Sequence, residues 1–254
     1  MILAIDIGNT NIVLGGFEED ALTFTARLST DPAKTEDEYA SALLSVLTIH
    51  QVDPAGITGA IVSSVVPPLT RILTKAVQYL FGVKPMVVGP GIKTGINIRC
   101  DSPSSVGTDI ICACVATQQL YGCPALIVDL GTATKMMVIN ASGSFIGVSI
   151  CPGVMMGLNA LAEQTAQLPK VSLEAPKLIV AKNTADCMKS GVIYGNASMV
   201  DGMIDRINEE MGESLPVYAT GGMASVIADH CKHSMTLDEH LVLKGLNILY
   251  KKNN

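Results

Sequence analysis

Three aspartates sit where short-range chemistry could use them. Asp6 ends the aliphatic run in LAIDIGNTN, Asp129 ends the run in LIVDLGTAT, and Asp109 lies in DSPSSVGTD, just ahead of the apolar segment from Ile110 to Leu120. A turn between antiparallel strands exposes backbone N–H groups, and Gly8 lets such a turn approach a ligand closely. Asn9, Thr10 and Asn11 add neutral donors without filling the space, a composition that suits phosphate oxygens. Asp6 and Asp129 at the strand ends could then hold a hydrated metal or a monovalent cation between protein and phosphate. A P-loop is excluded, because it needs GxxxxGK[ST] opening into a helix and here an aliphatic strand follows. Asp109 falls in the first turn of the expected helix, where the helix dipole favours the anion and a carboxylate can take a proton from an attacking alcohol. The alternative for Asp109 is a cap or dipole partner only.

The elements that must position these residues follow from periodicity. Residues 2–7 and 12–17 read as a hairpin, 36–49 as a helix with Tyr39, Leu43 and Leu47 on one face, 60–66 as a strand, and 69–81 as an amphipathic helix. Met86 to Val88 reads as a strand. The pattern restarts at Ala125 with a strand, Asp-Leu-Gly-Thr, a second strand through Ile139 and a third from Ser144. Pro152-Gly153 opens a helix expected to reach about Gln167, followed by a helix over 186–212, a strand at 217–219, a turn at Gly221-Gly222 and a last helix over 241–250. Leu, Asp and Gly recur in register between LAIDIGNTN and LIVDLGTAT, which points to a duplicated unit of about half the chain. With 254 residues the chain suits two lobes, placed at 1–119 and 120–254.

Composition narrows the chemistry. A net charge of −6 without a basic stripe argues against a binder of nucleic-acid backbone, while a few fixed N–H groups and a cation suffice for a nucleotide. Asp6 breaks the first apolar stretch too early for a secretory signal, so the expected location is the cytoplasm, and no apolar run is long enough to suggest a membrane span. The seven cysteines form no CxxC pair and read as buried free thiols. His230, Cys231 and His233 lack a second half-site at a zinc-like spacing.

Together these pieces resemble the acetate-kinase/hexokinase/actin-like phosphotransferases, in which two ribonuclease-H-like lobes each contribute a hairpin to a nucleotide cleft. More narrowly, DIGNTN, TEDEY, VSSVVPPLTR, VVGPGIKTGINI, VGTD, VDLGTAT, PGVMMGLNALAEQTAQLPKV, SGVIYG and ATGG, in that order, are similar to type III pantothenate kinases. The resemblance implies an α/β fold and ATP-dependent phosphorylation of pantothenate on the way to coenzyme A, in a homodimer using Mg²⁺ and a monovalent cation, K⁺ or NH₄⁺. It implies that Asp6, Ile7, Gly8, Asn9, Thr10, Asn11, Ile12 and Val13 wrap the ATP phosphates with Thr132, Gly221 and Gly222, and that Asp6 and Asp129 serve the metal ions, Asp129 ligating the monovalent one. Asp109 would be the general base, with Cys100, Gly107, Thr108 and Ile110 on the acceptor side and Thr184 completing the acceptor pocket across a dimer interface.

The chain departs from the family pattern in two places. On the acceptor side Ile110 replaces an Arg, Cys100 a Tyr, Ser104-Ser105 an Arg-Glu pair, and Asn196 a Tyr. Such changes leave open a kinase for another hydroxylated acceptor, or a non-catalytic, regulatory relative. On the nucleotide side Lys135 stands where Thr is usual. Its ammonium could reach Asp129 and replace the monovalent cation, pair with a phosphate, or point to solvent.

Overall fold

The aliphatic runs flanking Gly8 form β1 (Ile2–Ile7) and β2 (Asn11–Glu18), antiparallel, with Ile7 opposite Ile12 and Asp6 opposite Val13. The computed structural model describes residues 1–165 and 167–254. β3 (Ala21–Ser29) follows, a strand the sequence reading passed over; Phe24, Ala26 and Leu28 alternate along it and pack on the first core. Helix α1 (Glu36–Ile49) starts at Thr35, whose hydroxyl accepts from the Glu38 backbone N–H while the Glu38 carboxylate accepts from the Thr35 N–H. This reciprocal cap satisfies two helix-end donors, and Tyr39, Leu43 and Leu47 turn inward as their spacing predicts. β4 (Gly59–Ser64) pairs parallel to β1, α2 (Pro67–Phe81) ends at Gly82 in the left-handed conformation, and β5 (Met86–Val87) completes a sheet ordered β3-β2-β1-β4-β5. β6 (Asn97–Ile98) and α3 (Thr108–Leu120) follow.

The second half repeats this scheme with β7 (Ala125–Leu130), β8 (Ala133–Ile139) and β9 (Ser144–Pro152), then α4 (Val154–Glu163) and α5 (Thr184–Met211). β10 (Val217–Thr220), α6 (Ala224–Ala228), β11 (Thr236–Leu237) and α7 (Leu241–Asn253) end the chain. Its strands lie in the order β9-β8-β7-β10-β11, the first two pairings antiparallel and the next two parallel, the senses found for β3-β2-β1-β4-β5. The same order and handed pattern in both halves is what a duplicated domain produces.

Two boundaries differ from the sequence expectation. The chain divides into Met1–Tyr121 with Leu241–Asn254, and Gly122–His240, so the last helix belongs with the first half rather than the second. The reason is packing: α7 buries Leu241, Leu243, Leu246 and Leu249 and lies on α3, β1, β2 and β4. At Gly245 the backbones of α7 and α3 come so close that an added Cβ would sit 2.0 Å from the Cys112 carbonyl oxygen. Helix α4 ends at Glu163, short of the expected Gln167, and Ala166 within that stretch lies outside the described residues. Among the described residues no helix is long and apolar enough to cross a membrane.

Candidate functional site

In the first unit the turn after Asp6 is held from two sides. The Gly8 N–H donates to the Asn11 carbonyl at 3.0 Å, and a Cβ on Gly8 would meet that same oxygen at 3.0 Å. Beyond β3, the Thr30 hydroxyl donates to the Gly8 carbonyl at 2.6 Å and the Thr30 N–H to the Thr10 carbonyl at 3.0 Å. Asn9 and Thr10 are exposed at the tip, Asn11 and Val13 are half-buried, and Ile7 and Ile12 are fully buried in the first core. Of the eight positions expected to wrap phosphates, Ile7 and Ile12 therefore have only backbone groups to offer.

The N-terminus of α3 is anchored to the end of the neighbouring strand. The Thr108 hydroxyl lies 2.9 Å from the Ser63 hydroxyl, accepts from the Ser64 N–H at 3.1 Å and donates to the Ser64 carbonyl at 3.1 Å. Ser63 is opposite Asp6 and Ser64 opposite Ile7 in the parallel register, so one hydroxyl ties the start of α3 to the strand end beside Asp6. Asp109 follows, its Oδ1 folded back over Gly107, where a Cβ would lie only 2.4 Å from it. One turn on, the buried Cys112 thiol is pushed well above the usual thiol range, first by burial, then by the charges of Asp6 and Asp109, with a Ser63 hydrogen bond opposing. Asp6 and the start of α3 thus lie at the carboxyl ends of neighbouring parallel strands, where α/β folds gather ligands. Ile110 is buried at 6% exposure and offers no polar group. Cys100 is partly exposed, and the buried Cys114 thiol is pushed up chiefly by burial.

In the second unit Asp129 occupies the place on β7 that Asp6 occupies on β1. It lies opposite Thr220 on β10 and opposite Lys135 on β8. The Lys135 Nζ is 2.7 Å from Asp129 Oδ2, the two side chains being 16% and 11% exposed. The turn is one residue tighter than in the first hairpin: the Gly131 N–H donates to the Ala133 carbonyl at 3.2 Å. Two glycines close on it. A Cβ on Gly153 would stand 2.0 Å from the Thr132 carbonyl oxygen, and one on Gly221, at φ +95°, 2.6 Å from Asp129 Oδ1. Gly222 follows in that turn, which is pinned by the Met223 N–H donating to the Leu130 carbonyl at 3.0 Å. Thr184 is exposed at the first position of α5, after the Asn183 side chain that caps the helix.

Sequence reasoning missed Ser63 and Ser64 as the anchor for α3; two adjacent hydroxyls ending a β-branched strand were the available signal. It also missed that Gly153, read as a helix opener, is the residue on which the Thr132 turn rests.

Residues 2–206 match the type III pantothenate kinase family. A type III pantothenate kinase of Halalkalibacterium halodurans is 43% identical over 253 residues, covering 100% of both chains. One of Bacillus cytotoxicus is 44% identical over 253 residues, covering 100% of this chain and 97% of that one. Among solved structures, the activator of 2-hydroxyisocaproyl-CoA dehydratase from Clostridium difficile, with bound ADPNP, superposes with a TM-score of 0.57 at 11% identity, over 98% of this chain and 93% of that one. That likeness shows the shared fold, the duplicated α/β arrangement of the actin/hexokinase class. The chain belongs to the type III pantothenate kinase family.

Proposed function

We propose that this protein transfers the γ-phosphoryl group of ATP to the primary hydroxyl of pantothenate, the first step toward coenzyme A. The observation that carries the reading is the end-to-end match, at 43% and 44% identity, to proteins named for that activity. The first unit supports it by tying the helix N-terminus that carries Asp109 to the strand end beside Asp6, through Thr108 and the Ser63–Ser64 pair, next to a glycine turn.

In this reading the backbone of residues 6–13, with the side chains of Asn9, Thr10 and Asn11, binds phosphate oxygens, and Thr132, Gly221 and Gly222 contact nucleotide from the second unit. Mg²⁺ usually keeps several waters and takes one or two protein carboxylates together with substrate phosphates. Asp6 fits that role, and among the described residues no group of three His, Cys, Asp or Glu forms a protein cage for a metal. Bound there, Mg²⁺ would neutralise charge on the transferring phosphoryl group. Asp109 accepts the hydroxyl proton as the oxygen–phosphorus bond forms and the bond to the ADP leaving oxygen breaks. Alignment supplies most of the rate and the base acts late. Thr108 anchors the start of the helix that carries Asp109, and Gly107 and Thr108, with Cys100, Ile110 and Thr184, belong to the acceptor side.

With Ile110 buried in place of a guanidinium, charge-assisted hydrogen bonds of about 1.5–3 kcal/mol each are lost, and the KM for pantothenate should rise by roughly one to two orders of magnitude relative to a chain with Arg there. We infer a cytoplasmic homodimer, supported by the exposed Ile150, Met155, Met156 and Leu161 on neighbouring β9 and α4. Asp129 does not fit a dissolved K⁺ or NH₄⁺, because its Oδ2 already has an ammonium 2.7 Å away. ADP release measured with pantothenate, with related hydroxy acids and with no acceptor tests the function. Pantothenate-dependent release is expected; release with another acceptor alone would move the substrate, and none at all would leave a non-catalytic nucleotide binder.

A further inference from the structure

Asp129 and Lys135 face each other across the β7–β8 hairpin, Nζ to Oδ2 at 2.7 Å. The other carboxylate oxygen is hemmed in by glycine backbone: Cβ atoms on Gly131 and Gly221 would lie 3.3 and 2.6 Å from Oδ1. The equivalent position in the first hairpin, opposite Asp6, is Val13, which carries no charge. A largely buried ion pair is seldom better for stability than apolar residues of similar volume, so stability alone does not account for a lysine here. A lone carboxylate at a hairpin that meets a triphosphate would repel it, and an ammonium 2.7 Å away offsets that charge.

We propose that Lys135 is a built-in monovalent cation: its ammonium neutralises Asp129 at the hairpin that the kinase reading assigns to the nucleotide, so that this chain needs no dissolved K⁺ or NH₄⁺. The proposal rests on the kinase reading for the nucleotide at this hairpin, and the melting measurement below separates the two. The ammonium is chemically that of NH₄⁺ on a tether, and its occupancy does not depend on the salt.

The protein is exchanged into tetramethylammonium buffer at fixed ionic strength and then given Na⁺, K⁺ or NH₄⁺. Wild-type kcat and the KM for ATP should change by less than about twofold, a difference under ~0.5 kcal/mol. Lys135→Thr should lose about tenfold or more in tetramethylammonium and regain it with K⁺ or NH₄⁺ but not Na⁺. Melting with Mg²⁺ and ADP gives a readout without turnover: a K⁺-specific rise in Tm is expected in Lys135→Thr and not in the wild type. A tenfold rise of wild-type turnover with K⁺, a K⁺-specific Tm rise in the wild type, or full activity of Lys135→Thr without K⁺ would overturn the proposal. If Lys135→Thr does not fold, the wild-type measurements decide. If the wild type turns over no pantothenate in any salt, the kinase reading fails, and melting alone decides the role of the lysine.

Discussion

The two hairpins are one device built twice with different electrostatics. In the first, Asp6 lies opposite Val13 and the turn of residues 8–11 is braced by Thr30. In the second, Asp129 lies opposite Lys135, the turn is a residue shorter, and Gly153 and Gly221 press on it directly. Side chains directly opposite in an antiparallel pair share a face and interact, so a single residue decides whether the strand-end carboxylate has an ammonium across the ladder. Duplication thus preserves the scaffold while the residue across the ladder differs, and the proposed division of labour follows from it: Asp6 to a divalent ion, Asp129 to fixed charge neutralisation.

Exchanging the differing residue breaks the comparison most strongly. Lys135→Val, which gives the second hairpin the residue type of the first, leaves Asp129 buried without its ammonium and should cost about 3–5 kcal/mol in denaturant unfolding, whereas Asp129→Leu with Lys135→Val should recover most of it. Thr108→Val removes the hydroxyl that ties α3 to Ser63 and Ser64; about 1–3 kcal/mol should be lost, and Thr108→Ser should restore it. Gly107→Ala presses on the Asp109 carboxylate rather than on backbone, so kcat should fall about tenfold with little change in Tm, since small misplacements of a reacting group are costly. The smallest effect is expected far from both hairpins. Thr35→Ala should lower Tm by about 2–4 °C at neutral pH. Hydrogen bonds from Thr35, the backbone one first and the hydroxyl second, hold Glu38 below its ordinary range, so their stabilisation is present at neutral pH and lost as the carboxylate protonates in acid, the hydroxyl's share being the one that Thr35→Ala lacks. The Tm gap between the two proteins should narrow there.

Local pattern carried most of the fold. The hairpin at DIGNTN, the bounds of α1 and the first-turn position of Asp109 depend on alternation, caps and turn residues, all readable over a few positions. The repeat of Leu, Asp and Gly was enough to foresee a duplicated topology. β3 alternates cleanly, Leu22, Phe24, Ala26 and Leu28 against polar neighbours, and was readable; it escaped because the turn before it uses Glu19 at φ +54° rather than a glycine that would mark a hairpin. The allegiance of α7 escaped for a different reason: its partner on α3 is distant in sequence, and the fit at Gly245 belongs to neither segment alone. Lys135 was visible as a departure, but three destinations were open until the strand register set it opposite Asp129. Ser63 and Ser64 looked like an ordinary strand end because their partner, Thr108, lies far along the chain.

The most direct test of the account is the steady-state rate of pantothenate-dependent ADP release by Asp109→Asn beside the wild type. A fall in kcat of about 10²-fold or more, with the KM for ATP within about threefold, is predicted for a lost general base. Turnover by Asp109→Asn equal to that of the wild type would contradict it and return Asp109 to the role of a helix-end charge.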